Sequence, residues 1–361
     1  MALQTSFFKK TLHFAFKART SRGSMKHRDV WYFKVWASGD EDFFGIGEAG
    51  PLPGLSHEKD EEVEKELEAV GKFVSINIDP NHLPSTVEEI HSMIKPLNLS
   101  SSVTFAAEVA LLDLKHKGSR IIFKNDFLKG VAIPINGLVW MGGLDEMLSQ
   151  VSIKIDDGFN CIKLKIGGTN FEKEVDILQF IRRKYFRDVI TIRLDANGAF
   201  KPSDALYKLA DCARHDIQSI EQPVKAGSTI LPELCRKSPI PIGLDEELIG
   251  IYKHDDKIRL LERILPQFIV LKPTVHGGLE SCKEWIKLAE ERKIGWWLTS
   301  AMESNIGLNA IAQFTAEFKI TTHQGLGTGM IYSDNIPSPL EVYKGGLRHN
   351  SQENWDLSEI N

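Results

Sequence analysis

The stretch Cys161–Gly168, CIKLKIGG, decides how this chain is read. Its alternation is that of a β-strand, so Lys163 and Lys165 project from one face while Ile162, Leu164 and Ile166 turn to the other. Two ammonium groups on one face of so apolar a strand are costly unless carboxylates or a metal site compensate them. Three carboxylates follow, each closing an apolar run of its own: Asp195 in ITIRLDANGAF, Glu221 in IQSIEQPV and Asp245 in IPIGLDEEL. Lys272 closes the next run, FIVLKPTVHGG. Successive members of this series lie 26, 24 and 27 residues apart, close to one strand–helix unit. Charged residues at the C-terminal ends of successive barrel strands read as catalytic.

Outward from this stretch, apolar runs alternate with amphipathic segments from Val131 onward. The runs are VAIPINGLVW, CIKLKIGG, ITIRLDANG, IQSIEQPV, IPIGLDEE, FIVLKPTV, GWWLTSAMES and HQGLGTGM. Between them, Glu172–Lys184, Pro202–His215 and Leu279–Arg292 have helical length and charge pattern. Eight strands in about 200 residues predict an α/β fold, a modified (β/α)8-type barrel over 126–335. A doubly wound open sheet is the alternative, but it gathers ligand groups at one switch point rather than on most successive strands. Neither GxGxxG after a first strand nor GxxxxGK[ST] occurs, which weighs against nucleotide-binding folds.

Residues 1–125 read as a separate α+β capping domain, with strands before helices and no alternation. Strands are expected over 5–19, Val30–Ala37 and Asp42–Gly47. Thr20–Asp29 and Glu48–Ser56 are polar or rich in turn formers, and composition alone makes both connecting loops. Ser56 is a candidate N-cap for a helix burying Val63, Leu67, Val70 and Val74. Further helices are expected over Val87–Ile94 and Thr104–Lys117, the latter apolar over much of its circumference. The tail, 336–361, is expected to return to the capping domain.

With 42% hydrophobic and 26% charged residues, the composition is that of an ordinary globular protein. A net charge of −5 gives no general attraction to nucleic acid or anionic membranes. No apolar run is long enough for a membrane span, and the N-terminus lacks the apolar core and cleavage site of a secretory signal. Four scattered cysteines, with no CxxC pair, read as free thiols. A cytoplasmic protein is expected.

Asp195, Glu221 and Asp245 form an oxygen-only donor set, which favours Mg²⁺ or Mn²⁺ over zinc. Lys163, Lys165 and Lys272 are the catalytic candidates. A lysine beside a second ammonium and a divalent cation has its neutral form favoured, which suits a general base. Lys165 and Lys272, on the second and sixth barrel strands, can face a small anionic carboxylate from opposite sides. Base, cation and second ammonium together suit abstraction of a proton α to a carboxylate. Asn197, Ser300, Glu303, Ser304, Gly327 and Thr328 are the candidate substrate contacts. Asn305-Ile-Gly would begin a helix whose N-terminus can hold a carboxylate, and the neutral Gly325–Gly329 can approach an anion closely. Arg193 reads as a partner of Asp195; His276 and His323 read as incidental.

These motifs resemble the enolase superfamily, in its muconate-lactonizing-like branch. The resemblance rests on the KxK of Lys163–Lys165, the triad Asp195/Glu221/Asp245, and Lys272 in LKP. Four longer stretches, Gly47–Glu58, Pro134–Gly142, Thr299–Gln313 and Gly325–Leu340, are similar to the o-succinylbenzoate synthase family within that branch. The resemblance implies syn-dehydration of 2-succinyl-6-hydroxy-2,4-cyclohexadiene-1-carboxylate in menaquinone biosynthesis, through a metal-stabilised enediolate. By it Lys165 is the base and proton donor, Lys272 lends positive charge from the other face, and Mg²⁺ sits on the triad. It also implies that Thr20–Asp29 and Gly47–Glu58 close the barrel mouth, against their reading as plain connections. Racemisation of N-acyl amino acids or epimerisation of dipeptides is the alternative within the branch. A non-catalytic barrel is the alternative from another class, although no lysine or carboxylate of the set is missing.

Overall fold

The computed structural model describes residues 2–360 apart from 21, 22 and 169, and describes only the backbone of 17–20, 23 and 24. The N-terminal part is an antiparallel sheet in the order β1 (Leu3–Thr20), β2 (Gly23–Ala37), β3 (Phe44–Ala49). It is covered by α1 (Asp60–Asn77), α2 (Val87–Ile94) and α3 (Ser101–Lys115). Helix α1 buries Val63, Leu67, Val70 and Val74, the face its spacing predicts. It starts later than expected: Lys59 is the N-cap, and the Glu62 carboxylate accepts the Lys59 amide at 2.8 Å. The Ser56 hydroxyl instead accepts from the Leu52 amide at 2.9 Å, closing a turn in the preceding loop. Helix α3 is buried on nearly every side because β3 lies directly on it.

That approach is made at backbone level. A Cβ on Gly45 would stand 2.0 Å from the Ala110 carbonyl oxygen, and one on Gly47 1.9 Å from that of Ala106. Gly45-Ile46-Gly47 thus presents two bare backbone positions to a helix whose facing residues are alanines.

In the polar stretch Thr20–Asp29, residues 21 and 22 lie outside the described residues, and the remainder is strand rather than loop. After a register shift the β1–β2 ladder resumes at Ala18↔Met25 and runs out to Thr20↔Gly23, making a projecting two-stranded arm. Ladder hydrogen bonds satisfy the backbone here whatever the side chains are, so composition gives no sign of it. The bridge Phe14↔Tyr332 and the Ala15 amide bonded to the Ile331 carbonyl (2.8 Å) hold the root of the arm against the barrel.

After β4 (Ile133–Pro134) comes a parallel sheet of seven strands. They are β5 (Gly137–Val139), β6 (Cys161–Lys165), β7 (Thr191–Asp195), β8 (Ile217–Glu221), β9 (Ile242–Leu244), β10 (Phe268–Leu271) and β11 (Gly295–Leu298). Their order in space is their order in sequence. Helices α4 (Leu144–Asp156), α5 (Phe171–Lys184), α6 (Ala205–Ala213), α7 (Leu231–Lys237), α8 (His254–Ile264) and α9 (Gly278–Glu291) make the crossovers, and α10 (Asn305–Thr315) follows β11. The expected eighth strand is reduced to isolated bridges. Gln324 pairs with Ile135 and Gly325 with Thr299, which joins the two edges of the sheet and closes the ring. The glycine-rich run GLGTG cannot sustain a longer ladder. The run VAIPINGLVW is likewise split, since Ile133–Pro134 pairs outside the barrel with β13 (Gly346–His349), itself the partner of β12 (Leu340–Tyr343). Beyond that hairpin, Trp355, Leu357 and Ile360 join Leu12, Val30, Tyr32, Phe44 and Ile46 in a second apolar cluster.

The N-terminal part docks on the barrel through α3. The Glu108 carboxylate accepts the Leu279 amide at 2.5 Å and the Ser101 hydroxyl accepts that of Gly277 at 3.1 Å, so both sit at the start of α9. Among the described residues no helix is long and apolar enough to cross a membrane.

The β3–α3 contact leaves no room for a methyl group. Gly47→Ala is expected to cost roughly 1–3 kcal/mol through overpacking, read as a lower urea midpoint with an unchanged m-value.

Candidate active site

Strand register assembles the site. Lys165 pairs with Asp195, Asp195 with Glu221, and Glu221 with Gly243, so one row crosses the C-terminal ends of β6, β7, β8 and β9. Lys163 stands two residues earlier on the same face of β6. Asp245 immediately follows β9 and Lys272 immediately follows β10.

Asp195, Glu221 and Asp245 are buried, and each offers an oxygen within 4.8 Å of the others. Three ammonium groups compensate them. Lys163 lies 3.0 Å from Asp195 and also donates to Glu221. Lys165 donates to Asp195 at 2.5 Å and to the Asn197 side-chain oxygen at 2.9 Å. Lys272 donates to Asp245. Asn197 is fixed in turn, its amide nitrogen donating to Glu246 at 3.0 Å.

Burial opposes charge on Lys163, Asp195, Glu221 and Asp245, and the charges around each decide which way it shifts. Burial would lower the Lys163 pKa, but the carboxylates of Asp195, Glu221 and Asp245 outweigh it and hold the ammonium above its ordinary range. Burial would raise Asp195 and Asp245; Lys163 and Lys165 hold the first well below the usual carboxylate range, and Lys272 holds the second below it. Glu221 goes the other way, pushed up by burial and by the two neighbouring aspartates. The three carboxylates that face Lys163 thus keep it an ammonium.

The donor set fits a hard divalent cation. Three carboxylate oxygens within 4.8 Å of one another, with no nitrogen or sulfur donor in the set, would hold such a cation. Glu221 Oε1 is buried without a hydrogen-bond partner, as a waiting ligand atom would be.

The lysines and carboxylates open onto a cavity of about 290 Å³. Of the six lysine and triad residues, five line it; Glu221 lies behind. Asn197, Ser300, Gly327 and Thr328 also line it. Glu303 and Ser304 do not line it. Glu303 is buried, accepting from the Thr274 hydroxyl at 2.5 Å, the Ser300 hydroxyl at 2.5 Å and the Ala301 amide at 2.8 Å. Ser304 caps α10, and the carboxylate at that helix N-terminus belongs to Glu48, which accepts from the Ser304 amide (2.9 Å), the Ser304 hydroxyl (2.5 Å) and the Gly307 amide (3.0 Å). Arg193 does not pair with Asp195. It stacks on Trp297 at 4.1 Å and donates to Gln218, Thr322 and the His323 carbonyl. His276 Nδ1 accepts the Lys272 backbone amide at 2.9 Å; burial and the adjacent Lys272 ammonium push its pKa down to about 3, so it stays neutral. His323 bonds to Asn160 at 2.6 Å.

The apolar part of the cavity comes from the two segments that the resemblance puts over the barrel mouth and from barrel residues that the sequence reading does not single out. Met25 from the arm, Leu52, Pro53 and Leu55 from the loop after β3, and Leu138, Trp140 and Met302 from the barrel supply it. Trp140 and Met302 lay within quoted stretches, but nothing in their spacing marks them as facing the site.

A family model, Enolase C-terminal domain-like, matches residues 146–351. The chain is 38% identical to the o-succinylbenzoate synthase of Desulfotalea psychrophila over 96% of its own length and 98% of that protein's. The chain belongs to the o-succinylbenzoate synthase family of the enolase superfamily. The crystal structure of MenC from the same organism superposes with a TM-score of 0.86 at 35% identity, covering 96% of this chain and 100% of that one. A dipeptide epimerase of Cytophaga hutchinsonii, in complex with Mg and D-Ala-L-Val, shares the fold at a TM-score of 0.79 and 22% identity, over 96% and 93% of the two chains. Membership of this family accounts for the barrel and its cap together.

In the metal-free protein Lys163 neutralises two buried carboxylates. Lys163→Met is expected to destabilise the chelated protein by roughly 3–5 kcal/mol and to return part of that loss when millimolar Mg²⁺ is added. Chemical denaturation with EDTA and then with Mg²⁺ checks both parts.

Proposed function

We propose that this chain is an o-succinylbenzoate synthase, a hydro-lyase of menaquinone biosynthesis that dehydrates 2-succinyl-6-hydroxy-2,4-cyclohexadiene-1-carboxylate. One observation favours this reading over dipeptide epimerisation. Asp195 and Asp245 are the only carboxylates among the described residues lining the cavity, and both belong to the triad. A dipeptide ammonium would find no counter-ion at the Gly327-Thr328 side, whereas an anionic, largely apolar ring meets lysines and an apolar lid.

Asp195, Glu221 and Asp245 would hold Mg²⁺, with Mn²⁺ as a substitute. When bound, the cation supplies positive charge to the substrate carboxylate as its α proton leaves. Lys165 takes that proton. Doing so requires it as the neutral amine, with the cation rather than an ammonium balancing Asp195, and leaves it as the ammonium that can then protonate the departing hydroxyl. The bonds of Lys165 to Asp195 and Asn197 aim the amine into the cavity. In a syn-dehydration the hydroxyl departs from the same face, so Lys165 is also placed to return the proton to it. Lys272, four strands away around the ring, keeps an ammonium at the opposite face and steadies the developing negative charge. Lys163 holds Asp195 and Glu221 in place behind the base.

Asn136 Oδ1 and Thr328 Oγ1 are buried without partners, and both residues line the cavity. Asn136 Oδ1 can accept from a substrate hydroxyl and the Thr328 hydroxyl can donate to a substrate oxygen, which supports Thr328 as a substrate contact alongside Asn197, Ser300 and Gly327. The division into a cap over 1–125 and a barrel over 126–335, with 336–361 returning to the cap, belongs to the same proposal. The packing of Ile336, Trp355 and Ile360 on the cap cluster supports it. Four buried free cysteines accord with a cytoplasmic setting.

Absorbance-monitored aromatisation of the cyclohexadiene carboxylate tests the reading. Turnover is expected with Mg²⁺, to stop on chelation, and to fall by roughly 10²–10⁴-fold or more in Lys165→Ala. Absence of turnover by folded, metal-loaded protein would overturn it, and racemisation of N-acyl amino acids by the same sample would replace it.

A further inference from the structure

Two segments reach over the cavity from the cap: the arm, through Met25, and the loop after β3, through Leu52, Pro53 and Leu55. Neither is covalently near the barrel wall they face. Both nevertheless root at one buried charge. Arg28 lies on β2, three residues from Met25, and is 1% exposed. One guanidinium nitrogen donates to the Gly50 carbonyl, at the start of the loop, and the other to the Ala301 carbonyl, in the barrel wall that lines the cavity. A guanidinium so far from water needs an anionic neighbour. Glu48 supplies it; burial raises its carboxyl above the ordinary value, and the Ser304 bond and the Arg28 charge oppose that rise.

We infer that Arg28 is a positioning residue that sets the register of both lid segments against the Ser300–Met302 wall, and so sets how closely the cavity fits its substrate. Three features carry this. The forked head of arginine bonds two carbonyls on different parts of the fold at once, which a lysine cannot reproduce. Glu48, next but one to Gly50, is tied to Ser304 and Gly307, so the loop root is bound to the same stretch of barrel twice. Gly50 is itself fitted to the guanidinium: a Cβ there would stand 2.8 Å from one Arg28 nitrogen and 3.4 Å from its central carbon. Arg28 does not line the cavity, so its effect on turnover passes through the lid and the Ser300–Met302 wall it joins.

This inference rests on the cavity being the substrate site, and one of its readouts is independent of the reaction. Arg28→Met removes both bonds. Gly50→Ala keeps the charge and pushes on the guanidinium from the loop side, and it decides the matter alone if the first variant does not fold. Each is expected to raise KM roughly tenfold or more while kcat changes by no more than about threefold. Amide exchange over 50–56 should accelerate while α3 and the barrel strands keep their protection. Unchanged exchange in that segment, or acceleration spread over the whole protein with kcat and KM moving together, would overturn the inference. Faster local exchange in a protein whose wild type turns over no cyclohexadiene carboxylate would sustain the lid role and remove the proposed function instead.

Discussion

Three carboxylates converge on one point at the open end of the barrel, and most of the surrounding structure follows from having to keep them there. Left alone in a low-dielectric interior they would protonate or repel one another. Lys163, Lys165 and Lys272 each reach one or two of them, so the cluster is nearly neutral before any cation arrives. The same lysines are the groups proposed for catalysis. Neutralising the triad and facing the substrate are therefore one requirement, and the lysines must sit on or at the ends of strands that flank the triad. Parallel register supplies that directly, since Lys165, Asp195 and Glu221 are consecutive rungs of one row.

The cap is tied to this barrel through helix ends. Glu48 fills the N-terminus of α10, and Glu108 that of α9, each from a buried position in the N-terminal part. A helix start presents unpaired amides and partial positive charge, so part of what a buried carboxylate needs is supplied by the helix itself. His91 adds a second partner to Glu108 at 2.9 Å. The two helices so capped follow β10 and β11, the strands that lead into Lys272 and into the Ser300–Met302 wall. Docking of the cap thereby also fixes the half of the site opposite Lys165.

Much of this was legible in the chain because it is periodic. The residues that close strands recur every 24–27 positions, and a period of that length has few structural solutions. Charged residues inside apolar runs are conspicuous, so Lys163, Lys165, Asp195, Glu221, Asp245 and Lys272 stand out singly and as a set. What stayed hidden is set by long-range contact. Nothing local says that Thr20–Asp29 pairs as a strand, that Glu303 turns to Thr274, or that Arg28 spans Gly50 and Ala301. The start of α10 was read correctly as a place for a carboxylate, yet its occupant lies 256 residues earlier in the chain, at Glu48. Apolar lid residues are the hardest to find, because a leucine facing a cavity and a leucine facing a core look the same in sequence.

The strand ends also show how the site is held to a fixed shape. Asn197, Gln222 and Met302 adopt positive φ of 44°, 36° and 66° without being glycine, each within a few residues of the end of β7, β8 or β11. Such a conformation costs on the order of 1–2 kcal/mol for an L-residue, and it persists only where neighbours over-determine it. They do so here. The Asn197 amide donates to Asp195 Oδ1 at 3.0 Å, so the turn after β7 is locked onto a triad carboxylate. The Gln222 side chain accepts the amides of Asp245 and Glu247 at 3.2 Å and donates to the Val224 carbonyl at 3.0 Å, which joins the turn after β8 to the next triad member. The Met302 amide donates to the Ser300 hydroxyl at 2.9 Å. Each strained turn is thus closed by a side chain that either belongs to the triad, carries it, or lines the cavity. Glycine at these positions would relieve the strain, but at Asn197 and Gln222 it would also remove the side chains that tie Lys165 and Asp245 in place. The retained strain is the cost of having the residue that turns the chain also orient the chemistry.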